Sequence, residues 1–229
     1  VLLLFTLLWT ACPQEFIASD PWFYSQRAFE LSRHGGFGRG DVFDQRIGVT
    51  LPVALAYRTL GVRLATTNLW PLLAALLVIV VVWSALPDPR SKTFGALLCL
   101  TSVPLLESST ALYPDLIAAA FMALSSLLLF SRRRLIRNRR TWLLAPAAAV
   151  ASLFVAFLAK ESAYWVLPLW ALALIADRAE EDRRALFRRF YAPAITAAIL
   201  LSAGYLAFCG ATCSAPLAPR LQSATVGEG

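Results

Sequence analysis

The chain has 229 residues, 59% of them hydrophobic and only 15% charged, with a net charge of +7 and a mean hydropathy of +0.64. A soluble domain of this length carries more charge, and several apolar runs approach the roughly 20 residues that cross a hydrocarbon core, without the period-two alternation of barrel strands. The composition predicts an all-α, polytopic transmembrane helical bundle, and the bunching of arginine in 132–140 and 178–189 is the pattern of cytoplasmic loops and speaks against nucleic acid as a partner.

Residues 1–12 form the first apolar run. With so many later runs, a first transmembrane helix is expected, although Thr10-Ala11-Cys12 faintly resembles a lipoprotein cleavage site. Directly after it comes Ser19-Asp20-Pro21-Trp22-Phe23-Tyr24, followed by an amphipathic helical pattern from Ser25 to Leu31. An acid before proline is a helix start, with the acid as cap and proline in the first turn. The three aromatics fit a membrane interface.

The two arginine-rich loops are expected on one, cytoplasmic, side. The hairpin between them, 142–158 and 163–176, then turns on the outer side at Lys160-Glu161-Ser162. Tracing backward, 115–130 begins outside at Pro114-Asp115, 93–106 begins inside beside Arg90 and Lys92, and 68–86 begins outside. With 1–12 and a last span at about 192–209, this gives about seven spans. Residues 13–67 become a long first outer loop. Ile47–Leu60 is apolar enough to raise the question of an eighth crossing, but Arg46, Arg58 and Arg63 favour a helix lying at the surface or half inserted. A crossing there would separate Asp20 from the other polar residues. Residues 1–209 are expected to form the membrane module, and 210–229 a loosely ordered tail rich in Ala, Pro and Ser. Both ends are expected to be cut short.

The four cysteines, Cys12, Cys99, Cys209 and Cys213, have no paired metal-binding spacing, and His34 is the only histidine, so a zinc site is not expected. Cys209 and Cys213 are read as free thiols at a helix end, with a disulfide as the alternative.

This topology gathers the ionisable residues on the outer face: Asp20, Arg27, Arg39 and Arg46 in the first loop, Glu107 and Asp115 around the second, Lys160 and Glu161 in the third. Carboxylates beside cations suit transfer chemistry on a lipid phosphate, because a carboxylate can take a proton from an attacking hydroxyl and a cation can hold the departing phosphate. Each residue also has a plainer role. Asp20 and Asp115 can serve helix starts, Lys160-Glu161 can be a solvated hairpin tip, and the arginines can bind lipid headgroups. Their common face and fixed order favour a site.

That order resembles the GT-C membrane glycosyltransferases, closest to the protein O-mannosyltransferase and aminoarabinose-transferase-like group. The residues that carry the resemblance are Ser19-Asp20-Pro21-Trp22-Phe23-Tyr24, Phe43-Asp44-Gln45-Arg46 running into Leu51-Pro52, Leu112-Tyr113-Pro114-Asp115, and Leu158-Ala159-Lys160-Glu161-Ser162. It covers about residues 1–176. It implies inverting transfer of a sugar from a polyprenyl-phosphate donor to a hydroxyl of a lipid, glycan or protein acceptor, at the periplasmic or extracellular face of the plasma (inner) membrane. Asp20 is then the base, Asp115 supports the site, Arg46 and Lys160 contact the carrier phosphate, and Tyr24 and Glu161 line the substrate site. Asp20 and Asp115 could share a divalent metal, although the sequence carries no positive sign of one or of another cofactor. The chain has Asp20-Pro21 and Arg46-Ile47 where many relatives have Asp-Glu and Lys-Pro-Pro. A transporter or lipid flippase is the alternative, and a structural subunit a third reading. Transporters place charges and broken helices near the midplane within repeats, and this sequence has its charges at span ends and no repeat.

Overall fold

In a computed structural model, residues 1–12, 20–35, 46–132, 144–177 and 183–212 are described. They are helical, with no strand among them. The helices are α1 (Leu2–Ala11), α2 (Asp20–His34), α3 (Ile47–Leu60), α4 (Leu64–Ala85), α5 (Pro89–Thr101), α6 (Val103–Ser109), α7 (Pro114–Phe130), α8 (Leu144–Ala159) and α9 (Leu167–Asp177). A short α10 (Arg183–Leu186) passes through a π-helical stretch, Phe187–Tyr191, into α11 (Ala192–Thr212).

Among the described residues two helices are long and apolar enough to cross a membrane, Leu64–Ala85 and Arg184–Tyr205, with a third if α6 and α7, bent at 113°, count as one span. The remaining apolar helices, among them Leu2–Ala11, Leu144–Ala159 and Ser162–Ala176, are shorter. The helical membrane class therefore stands at two to three candidate spans.

Three boundaries differ from the sequence reading. The expected span 93–106 is two helices, broken at Ser102, whose hydroxyl accepts the Leu105 N–H at 3.4 Å. Pro104 explains the break, because it has no N–H to continue the α5 ladder. The expected span 163–176 begins as a 3₁₀ segment, Glu161–Val166, and becomes α-helical only at Leu167. Pro168 acts there in the same way. The boundary drawn at 209/210 falls inside α11, which continues to Thr212. Cys213 and the rest of the tail lie outside the described residues, as do Arg39, the Phe43-Asp44-Gln45 motif and arginines 133–140. Cys12 and Cys99 are free thiols.

Small residues set the closest packing. Ala118 and Ala120 on α7 and Ala149, Ala156 and Ala159 on α8 are buried, and α7 and α8 form the most extensive helix pair. Small side chains let apolar helices approach closely where no hydrophobic gain is available in lipid. Gly48 on α3 does the same against α8. A Cβ there would stand 2.7 Å from Ala159 N, 2.8 Å from Leu158 C and 2.9 Å from Val155 O.

Hydrogen bonds fix the direction of α2 and α3. Arg46, at the start of α3, bonds Tyr24 near the start of α2, and Arg58 near its end donates to Ser32 O at 2.9 Å and Leu31 O at 3.3 Å. The two helices run parallel, and Arg58 closes the carbonyl end of α2. Gly61, at φ +82°, turns the chain from α3 into α4 in a conformation glycine adopts without strain. Trp70 Nε1 donates to Gly48 O at 2.9 Å, while Tyr57 OH meets Thr67 Oγ1 at 2.6 Å. Nine residues of α3, about 13.5 Å, thus face three residues of α4, about 4.5 Å. α3 crosses the start of α4 and does not run alongside it.

Candidate active site

Five of the six residues expected in the site have described side chains. Asp20 is the first residue of α2, with Pro21 second. The expected capping role is not seen: the residue is itself helical, its carboxylate is exposed, and it makes no hydrogen bond or ion pair among the described residues. A carboxylate placed in the first turn still interacts favourably with the helix dipole without closing a cap hydrogen bond. One turn on, Tyr24 is fully buried, and its hydroxyl accepts a hydrogen bond from the Arg46 guanidinium. Arg46 occupies the N-cap position of α3, which starts without a side-chain cap.

Asp115 lies in the first turn of α7, after Tyr113 at the N-cap and Pro114. Its carboxylate is ion-paired with Lys160, which precedes the 3₁₀ segment at the end of α8. Glu161 begins that segment, and its side chain lies outside the described residues.

The two polar pairs are neighbours through the backbone. Gly48, two residues after Arg46, sits against Ala159, one residue before Lys160. The order in space is Asp20, Tyr24 with Arg46, the Gly48–Ala159 contact, then Lys160 with Asp115. Three helices, α2, α3 and α7, start at this end and add the positive ends of their dipoles. The arrangement offers an accessible carboxylate and two cations around helix ends, which suits holding an anion beside a proton acceptor.

Residues not singled out in the sequence brace this end. Trp9 Nε1 donates to Ser109 O at 2.7 Å, and Asn68 Nδ2 donates to Thr110 O at 2.6 Å. They tie α1 and α4 to the corner between α6 and α7. Asn68 was detectable, as an amide at the head of a long apolar run. Gly48 was not, because a glycine in an apolar helix carries no mark of what it touches. Tyr57 and Thr67 tie α3 to α4. Thr67 Oγ1 also donates to Arg63 O at 3.1 Å. Burial pushes the Tyr57 hydroxyl above its ordinary value of 10.0, offset in part by the Thr67 and Ser25 hydroxyls.

The donor set does not suit a metal shared by Asp20 and Asp115. Asp115 is committed to Lys160, and no group of three or more His, Cys, Asp or Glu comes together among the described residues. No family model, curated protein or solved structure matches the chain.

Proposed function

We propose that the chain is a membrane glycosyltransferase that moves a sugar from a polyprenyl-phosphate donor to a hydroxyl acceptor at the outer membrane face. The observation that carries this reading is the grouping of an accessible carboxylate, Asp20, with two cations, Arg46 and Lys160, around the Gly48–Ala159 contact at one end of an apolar helical bundle. Asp20 takes the proton of the acceptor hydroxyl, whose oxygen forms a bond to the anomeric carbon. The bond from that carbon to the phosphate oxygen breaks, the polyprenyl phosphate leaves with the electron pair, and configuration inverts. Arg46, steadied by Tyr24, and Lys160, steadied by Asp115, stabilise the charge that grows on the phosphate. Residues 1–209 form the membrane module in this reading, with about seven crossings, the shorter helices accommodated by local thinning of the bilayer, and with α2 and α3 across its outer end. The acceptor is a lipid, a glycan or a protein, and the membrane is the plasma (inner) membrane.

The 113° bend between α6 and α7 favours a second reading, a transporter or lipid flippase, because broken helices are common in such proteins. The charged pairs sit at helix ends and not midway along them, which favours transfer chemistry.

Asp20→Asn decides between the two. Asp20 is exposed and without a partner among the described residues, so the variant is expected to fold as the wild type does. Sugar transfer from polyprenyl-phosphate donors in membranes falls about 10²- to 10⁴-fold, the usual worth of a positioned base. Unchanged transfer, or none by the wild type, overturns the assignment.

A further inference from the structure

At the end of the bundle away from Asp20, the last turn of α4, the first turn of α5 and the last turn of α7 enclose an open groove of about 730 Å³. This is within the size range of small-molecule sites. Its polar lining includes Lys92, Ser84, Ser126 and Ser131, and its apolar lining includes Leu86 and Phe130. Lys92 is half-buried, and neither its ammonium nor any of the three hydroxyls makes a hydrogen bond or ion pair among the described residues. Asp88, the one acid near it among the described residues, is engaged elsewhere: it accepts the N–H groups of Arg90 and Ser91, at 3.1 and 3.0 Å, and the Ser91 hydroxyl at 2.6 Å. Arg132, buried just past α7, donates to Leu129 O at 3.0 Å and adds positive charge to this end. Phe130 is exposed at the groove, as aromatic side chains are at the level of lipid headgroups.

We propose that this groove binds the headgroup of an anionic phospholipid, with the Lys92 ammonium and the serine hydroxyls on the phosphate and the acyl chains leaving over Leu86 and Phe130. The combination of a half-buried cation, hydroxyl donors and an apolar exit fits an amphiphile better than a free anion. Charge complementarity selects an anionic headgroup. The site rests on the membrane placement of the bundle and is independent of sugar transfer.

The test titrates phosphatidylglycerol into the purified full chain in neutral detergent and reads the affinity of the first bound lipid by native mass spectrometry. Phosphatidylcholine is the neutral control, and inorganic phosphate is the competitor. The wild type is expected to prefer phosphatidylglycerol. Lys92→Gln weakens the first lipid about fivefold, the usual effect of one basic residue at a lipid surface, while Arg90→Gln, at the exposed neighbour, changes it less than about twofold. Ser84→Phe, on an exposed position, fills the groove and removes the preference while leaving every charge in place. Equal losses in Lys92→Gln and Arg90→Gln would mean diffuse surface charge and overturn the site. So would equal binding of the two lipids, or competition by inorganic phosphate at the lipid's own concentration.

Discussion

Two cations at the candidate site are held by different partners, and the difference sets what each substitution does. Arg46 is tied to a fully buried tyrosine, so Tyr24 and Arg46 belong to the fold as much as to the site. Lys160 and Asp115 are 30% and 67% exposed, and an ion pair so open to solvent contributes about 0–1 kcal/mol. Lys160→Met is therefore expected to change stability by less than about 1 kcal/mol and, on the proposed function, to lower transfer about 10²- to 10³-fold through kcat. Thermal unfolding and steady-state kinetics on one preparation check both. Tyr57 gives a pH dependence with a defined sign. Its folded value lies above 10.0 because burial disfavours the phenolate. The stabilisation is complete below the unfolded value and is lost as pH rises through the folded one. Unfolding midpoints should fall above pH 10 in the wild type and fall less in Tyr57→Phe. The sequence made Asp20, Arg46, Asp115 and Lys160 visible because charges at the edges of apolar runs stand out. It did not tell which would pair, because Lys160 and Asp115 are 45 positions apart and meet only through the packing of α7 on α8.

At the scale of elements, the site depends on the closeness of α3 to α8. Gly48 permits that approach, and the atoms a Cβ would meet are backbone atoms of α8 at 2.7–2.9 Å. These cannot swing aside as a side-chain tip can. Gly48→Ala is expected to destabilise the bundle by about 1–3 kcal/mol and to lower transfer as well, by moving Arg46 away from Lys160. A denaturant titration alongside the transfer assay checks it, and wild-type behaviour in both would show that the contact positions nothing. Proline placed the largest departures from the expected elements. Pro104 and Pro168 are plain in the sequence, yet the apolar runs around them are continuous in composition. Hydropathy reads through a proline because it counts side chains, while the helix responds to the missing N–H.

At the scale of the whole molecule, the helix starts and ends that carry Asp20, Arg46, Asp115 and Lys160 gather at one end of the bundle, and the groove beside Lys92 lies at the other. The helical class was legible from composition because a lipid environment demands long apolar runs. The number of crossings was not, because α1, α8 and α9 fall between the length of a core helix and that of a span. The placement of α3 was legible only as a choice, and the bonds of Trp70 and Tyr57 lay it across the start of α4. On the proposed function, the end of the bundle that carries Asp20 faces outward and holds the transfer site, with Asp20 as its base. The most direct measurement is transfer of labelled sugar from a polyprenyl-phosphate donor to a membrane-impermeant hydroxyl acceptor, in right-side-out and inverted vesicles bearing the wild type or Asp20→Asn. The account predicts transfer by the wild type in right-side-out vesicles alone, and none above background with Asp20→Asn in either orientation. Transfer confined to inverted vesicles, or undiminished by Asp20→Asn, would contradict it.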